Sequence, residues 1–143
     1  MKILVIDAQG GGIGKQIVAA IKREQPQTEI TAVGTNSAAT AAMLKAGAHQ
    51  ASTGENPVVV ACRKADVIIG PIGIVIADAM FGEVTPKMAM AVGQADAVRI
   101  LLPVNKCDNL VAGVPDLNMT TLIEDVIVKL SGMEKRFAFC QKA

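Results

Sequence analysis

At 143 residues and a net charge of +1, the chain fits one domain, long enough to bury roughly two thirds of the surface its unfolded form would expose. Hydrophobic residues make up 51%, yet Trp and Tyr are absent and Phe occurs three times, so the core is expected to be built from Ile, Val, Leu, Ala and Met. Lys and Arg are spread along the chain and aromatics that stack on bases are almost lacking, so nothing recommends nucleic acid as a partner, and Lys135, Arg136 and Lys142 read as a solvated tail.

The apolar run between Lys2 and Asp7 is only four residues long, too short for a signal peptide. Val67 to Ala77, the longest apolar stretch, is broken by Gly70, Pro71 and Gly73 and falls short of the ~18 residues of a membrane span. Three widely separated cysteines, Cys62, Cys107 and Cys140, form neither a CxxC pair nor an even disulfide framework, which fits a reducing cytoplasm.

Lys2 to Asp7 reads as strand one, followed by a glycine turn and a helix with Ile13, Ile17, Val18 and Ile21 on one face, ending near Pro26. Glu29 to Gly34 is strand two, and Ser37 caps a helix closed by Gly47. His49 to Ser52 is a short third strand. Asn56-Pro57 has the cap-plus-proline form of a helix start, and Asp66 to Gly70 is a strand whose continuous Val67-Ile68-Ile69 run marks burial on both faces. Ile74 to Met80 is expected to be helical. Thr85-Pro86 opens a Met-rich helix to Gln94, Arg99 to Val104 is another strand, Leu110 to Val114 is expected to pair beside it, and Thr121 with Glu124 forms a capping box for a last helix stopping at Gly132. Strands alternating with helices predict a three-layer, Rossmann-like, doubly wound α/β domain over residues 1–143, mainly parallel, with a C-terminal antiparallel strand.

The turn Asp7-Ala8-Gln9-Gly10-Gly11-Gly12-Ile13-Gly14-Lys15 carries the chemistry. Glycines admit positive φ and close ligand approach, and the free N–H groups of a helix start favour an anion. Gly12-Ile13-Gly14 matches the second half of the dinucleotide pattern TGxxxGxG, whose first two positions fall on Asp7 and Ala8. Gly11 to Lys15 also matches part of a triphosphate-binding loop, but Gln9 replaces its first glycine and Gln16 its magnesium-binding Ser/Thr. Lys15 then reads as a solvated first-turn lysine. Asp7 either bridges to a phosphate through a cation or accepts N–H bonds from the loop and orders it. Thr35, Asn36 and Ser37 stand where dinucleotide binders contact the adenosine ribose; no acid is present, and they also serve as a helix cap. Gly70, at a strand's carboxyl end, is a candidate second wall.

Catalytic groups, if the chain has any, would come from Asp78, an acid inside an apolar stretch, from Glu83, or from Cys107 beyond a strand. The lone His49 and the scattered cysteines lack metal-site spacing, so no metal is expected, and without tyrosine the Tyr-x-x-x-Lys chemistry of short-chain dehydrogenases is excluded.

Asp7 to Gly14, Ala77-Asp78-Ala79-Met80-Phe81-Gly82-Glu83-Val84-Thr85-Pro86 and Leu101-Leu102-Pro103-Val104-Asn105-Lys106-Cys107 together resemble a family of short bacterial proteins classed as a domain of unknown function, with a DGQGGGIG-like motif in which Ala8 stands for glycine. The resemblance implies no activity; it marks these three segments as the places to look. Two expectations follow. One is a nucleotide, NAD(P)-like, or another phosphorylated small ligand held by Gly10, Gly11, Gly12, Ile13 and Gly14 with Asp7, Thr35, Asn36 and Gly70 around them. The other is a non-catalytic homodimeric assembly or regulatory protein that uses the Thr85 to Gln94 helix as interface.

Overall fold

The computed structural model describes residues 1–104 and 108–140. Strands β1 (Ile3–Asp7), β2 (Ile30–Gly34), β3 (Gln50–Thr53), β4 (Val67–Pro71) and β5 (Val98–Leu102) form one all-parallel sheet ordered β3-β2-β1-β4-β5. Helices α1 (Gly12–Glu24), α2 (Ser37–Lys45), α3 (Glu55–Cys62) and α4 (Pro86–Gln94) connect the strands in turn, and α5 (Met119–Cys140) follows β5.

The two strands at the centre, β1 and β4, are buried along their whole length, which is why both are written as unbroken apolar runs. Successive side chains alternate between faces. Ile3 and Val5 join Ile17, Ile21, Met43 and Leu130 beneath α1, α2 and α5, while Leu4 and Ile6 join Val58, Met88 and Val92 beneath α3 and α4. The architecture is thus the expected three-layer, Rossmann-like α/β fold. Because β1 pairs with β2 on one side and β4 on the other, the chain winds away in both directions from that point, and a crevice is created at the carboxyl ends of β1 and β4.

Several local expectations are corrected. Asn36, not Ser37, caps α2, its Oδ1 accepting the Ala39 N–H at 2.9 Å. Gly47 does close that helix, at φ 117, with the Gly47 and Ala48 amides donating back to Leu44 and Met43. Helix α3 starts at Glu55 after Gly54, so Asn56 and Pro57 lie in its first turn rather than before it. Thr85 caps α4 as expected, accepting the Met88 N–H at 3.1 Å.

Ile74 to Met80 is not an α-helix: a short 3-10 turn, Ile72–Val75, gives way to residues of positive φ that no right-handed helix admits. Leu110 to Val114 forms no strand; Leu110 is 97% exposed, and an apolar residue so placed has no sheet face to bury, so the sheet has no antiparallel member among the described residues. Helix α5 begins at Met119, where Asn118 Oδ1 accepts the Thr121 N–H at 2.8 Å and thereby replaces the Thr121 to Glu124 capping box. It also runs through Gly132, because a glycine in a helix costs only about 1 kcal/mol and this one stands in open space. Among the described residues no helix is long and apolar enough to cross a membrane. Cys107 and Lys142 lie outside the described residues.

Candidate functional site

The chain leaves β1, turns through Gln9 (φ 52) and Gly11 (φ 72), and enters α1 at Gly12. Its glycines are not equivalent. A Cβ on Gly11 would stand 2.6 Å from Ala39 Cα of α2, and one on Gly14 would stand 2.6 Å from Met43 Sδ and 2.8 Å from Asp7 Cβ. Those two are glycine because helices and strand meet there. Gly10 and Gly12 face open space and neither has a positive φ, so neither packing nor backbone conformation demands glycine at them. The Gly11 N–H donates to Ala8 O at 3.0 Å and the Gly14 N–H to Asp7, while the Gly10 and Gly12 amides have no acceptor among the described residues.

Asp7 lies beneath this loop, 3% exposed. Its Oδ1 accepts the Ala8 N–H at 2.8 Å and its Oδ2 the Gly14 N–H at 2.6 Å, so the carboxylate caps α1 from below and fixes the turn. Burial pushes its carboxyl above the usual range, against the opposing pull of the Gly14, Ala8 and Ile13 amides; the nearby Glu83 charge adds to the rise.

Glu83 is the unexpected element. It sits after the 3-10 turn, yet its Oε1 accepts the Gln9 N–H at 3.1 Å, the Thr35 hydroxyl at 2.9 Å and the Asn36 Nδ2 at 2.5 Å, tying the glycine loop to the carboxyl end of β2. Asn36 also donates to Gln9 O at 2.9 Å while its Oδ1 caps α2. The turn that delivers Glu83 is wound in the left-handed region, with φ 63 at Asp78, 56 at Met80, 57 at Phe81 and 83 at Gly82. It is closed by Asp78 N–H to Val84 O at 2.8 Å and Val84 N–H to Ala79 O at 3.2 Å. Buried Met80 anchors it, its Cε 2.7 Å from where a Cβ on Gly73 would lie.

Other sequence candidates lie elsewhere. Asp78 is exposed rather than buried in its apolar stretch. Gly70 is inside β4, where a Cβ would meet the Ile6 carbonyl oxygen at 2.4 Å, so its small size serves strand packing. His49 stands at the amino end of the sheet and accepts the Ile30 N–H through Nδ1 at 3.2 Å. Cys62 is buried, and that burial pushes its thiol up to about 11. Lys15 is exposed, and Met88 and Val92 of α4 belong to the core while Met90 is 54% exposed. Among the described residues no group of three or more His, Cys, Asp and Glu side chains is placed to hold a metal ion.

Two of the grooves among the described residues flank the sheet. One of about 800 Å³ runs along α3 toward the amino end, past Lys2, Glu29, Thr31, His49 and Gln50, away from the loop. The other, about 500 Å³, adjoins the loop: Ile13, Pro103, Val104, Asp116, Leu117, Met119 and Leu122 line it. Ligands of open parallel sheets bind at the carboxyl edge, which favours the second. That edge therefore presents, from β2 to β5, a polar corner at Glu83, Thr35 and Asn36, the open amides of Gly10 and Gly12, and a groove of mixed polar and apolar surface beyond Ile13.

A family model described as a domain of unknown function, DUF3842, matches residues 2–135. The chain belongs to this family. No curated protein and no solved structure matches it. The matched span includes every element of the carboxyl edge just described, from the glycine loop to the start of α5.

Within that span, Glu83 reads from the sequence only as a candidate for catalysis, and its contact with Thr35 and Asn36 is invisible there because 48 and 47 residues separate the partners and no spacing rule joins them. The strain of the turn was equally hidden. Phe81 is 99% exposed at φ 57, a conformation that costs a side-chain-bearing residue about 1 kcal/mol relative to glycine. Phe81→Gly is accordingly expected to raise Tm by roughly 2–4 °C, measured by calorimetry.

Proposed function

We propose that the chain binds a nucleotide or a related phosphorylated small ligand along the carboxyl edge of its sheet, with a phosphate on the Gly10 and Gly12 amides at the start of α1. The observation that carries this reading is that these two glycines have neither a packing contact nor a positive φ to account for them, while their N–H groups lack acceptors among the described residues. A phosphate oxygen supplies those acceptors, and a bare Cα lets it approach. The positive end of the 13-residue α1 adds its dipole.

Asp7 does not oppose the phosphate as a free carboxylate would. Both of its oxygens accept loop N–H groups from beneath, and the side chain is buried below the loop. Ile13, Val104, Leu117 and Leu122 of the groove beside the loop offer apolar contacts to the rest of the ligand, and Asp116 a polar one.

The test is thermal shift with NAD, NADP, ATP, GTP, S-adenosylmethionine and inorganic pyrophosphate. A ligand at a hundred times its Kd stabilises the folded chain by about 2.7 kcal/mol, which raises Tm by roughly 5–10 °C in a domain of this size. Gly12→Val fills the open space with a side chain and is expected to abolish that shift while leaving the unliganded Tm within about 2 °C. Retained binding in Gly12→Val, or no shift with any of the six compounds, overturns the proposal.

A further inference from the structure

We infer that Glu83 selects the sugar of the bound nucleotide, accepting from a ribose with a free 2′-hydroxyl and rejecting one that carries a 2′-phosphate; this rests on the nucleotide reading above. Open parallel sheets recognise a nucleotide's ribose with a carboxylate at the carboxyl end of the second strand. The residues after β2, Thr35-Asn36-Ser37, include no acid. Glu83 brings one to the same place from the segment between β4 and α4, held against Thr35, Asn36 and the first turn of the glycine loop.

Three consequences follow from this geometry. The donors of Thr35 and Asn36, which without Glu83 would suit a phosphorylated ribose, are engaged by the protein's own carboxylate. All three bonds converge on Oε1, so among the described residues Oε2 is left to accept a hydroxyl. And although burial pushes the Glu83 carboxyl up, the donors from Asn36, Gln9 and Thr35 outweigh it and leave the group below its ordinary range, so a charged carboxylate confronts any incoming phosphate. No salt bridge to Lys or Arg joins Glu83 among the described contacts to soften that repulsion. The left-handed turn explains how the side chain reaches so far: buried Met80 anchors the turn inward, and two residues after the exposed Phe81 the Glu83 side chain reaches the Gln9 N–H of the loop.

NAD and NADP differ only in the 2′-phosphate and serve as the paired probes, titrated calorimetrically into the full chain. The wild type is expected to bind NAD at least about tenfold more tightly than NADP. Glu83→Gln keeps an oxygen for the three donors but removes the charge, and is expected to bring the two affinities within about threefold of each other. Thr35→Val, which removes one support of the carboxylate but not its charge, is expected to weaken both ligands without inverting their order. Equal affinities in the wild type, or an unchanged NAD to NADP ratio in Glu83→Gln, overturn the role of Glu83 while leaving nucleotide binding standing. If NAD, NADP, ATP, GTP, S-adenosylmethionine and inorganic pyrophosphate all fail to bind the wild type, the nucleotide reading falls, and this inference with it.

Discussion

Asp7→Ala is expected to lower the unfolding free energy by about 3 kcal/mol, the cost of leaving the buried Ala8 and Gly14 amides without their acceptor and a small void beneath the loop. In a domain of this size that is a fall in Tm of roughly 10 °C. Asp7→Asn keeps one acceptor oxygen and turns an amide donor toward the other N–H, so its loss is expected to be about half as large. Acidification separates the roles of the two acids. Asp7 has a folded value raised above its ordinary 3.8, so the native state holds its proton more tightly, and its contribution to stability grows as pH falls through that window. Glu83 has a folded value below its ordinary 4.5, so its contribution is present above that value and is lost as pH falls through the folded one. Urea unfolding of the wild type, Asp7→Asn and Glu83→Gln across roughly pH 3 to 7 is expected to give difference curves of opposite slope. Parallel slopes would show that Asp7 is not held in the dry, capping position from which its behaviour derives.

The contrast between these two acids marks what the sequence can express. Asp7 is legible because it ends an apolar strand and precedes glycines, a local pattern, and one of the two roles read for it, acceptor of loop N–H bonds, is what its geometry displays. The parallel sheet is legible for a similar reason: strands buried on both faces, such as Val67-Ile68-Ile69, cannot alternate. Glu83 is not legible, because its partners come from two other loops and meet it only once β1, β2 and β4 are aligned. The same holds for the glycines. Spacing makes Gly10, Gly11, Gly12 and Gly14 look like one motif, and only the approach of α2 to Gly11 and of Met43 to Gly14 divides them into those the fold requires and those it does not. The turn from Ile76 to Val84 misleads in another way. Its apolar residues suit a helix by period, but Met80 and Phe81 adopt a left-handed backbone that their residue types rarely take, stabilised by burial of Met80 and the cross-turn hydrogen bonds rather than by local preference.

Gly70→Ala is expected to be destabilising by about 3 kcal/mol, whereas Gly12→Ala changes stability by less than about 1 kcal/mol and in the favourable direction, since alanine is the better helix former. The difference arises from what each new methyl meets. At Gly12 there is open space; at Gly70 a Cβ would lie 2.4 Å from the Ile6 carbonyl oxygen and 2.9 Å from Ile74 Cδ1. A flexible side chain such as Ile74 can shift, but the Ile6 carbonyl belongs to the central strand and moves only if β1 and β4 separate. Their paired register runs from Ile3 with Val67 to Val5 with Ile69, so Gly70 stands one residue beyond it, against the Ile6 carbonyl. A methyl at that point widens the mouth of the crevice from within and drags the glycine loop, which follows β1 directly, away from the β4 side. Gly70→Ala should therefore lose ligand binding along with stability, while Gly12→Ala should lose binding alone. Chemical denaturation paired with the NAD titration distinguishes them, and equal stability of the two variants would mean that Gly70 does not set the spacing of the central strands.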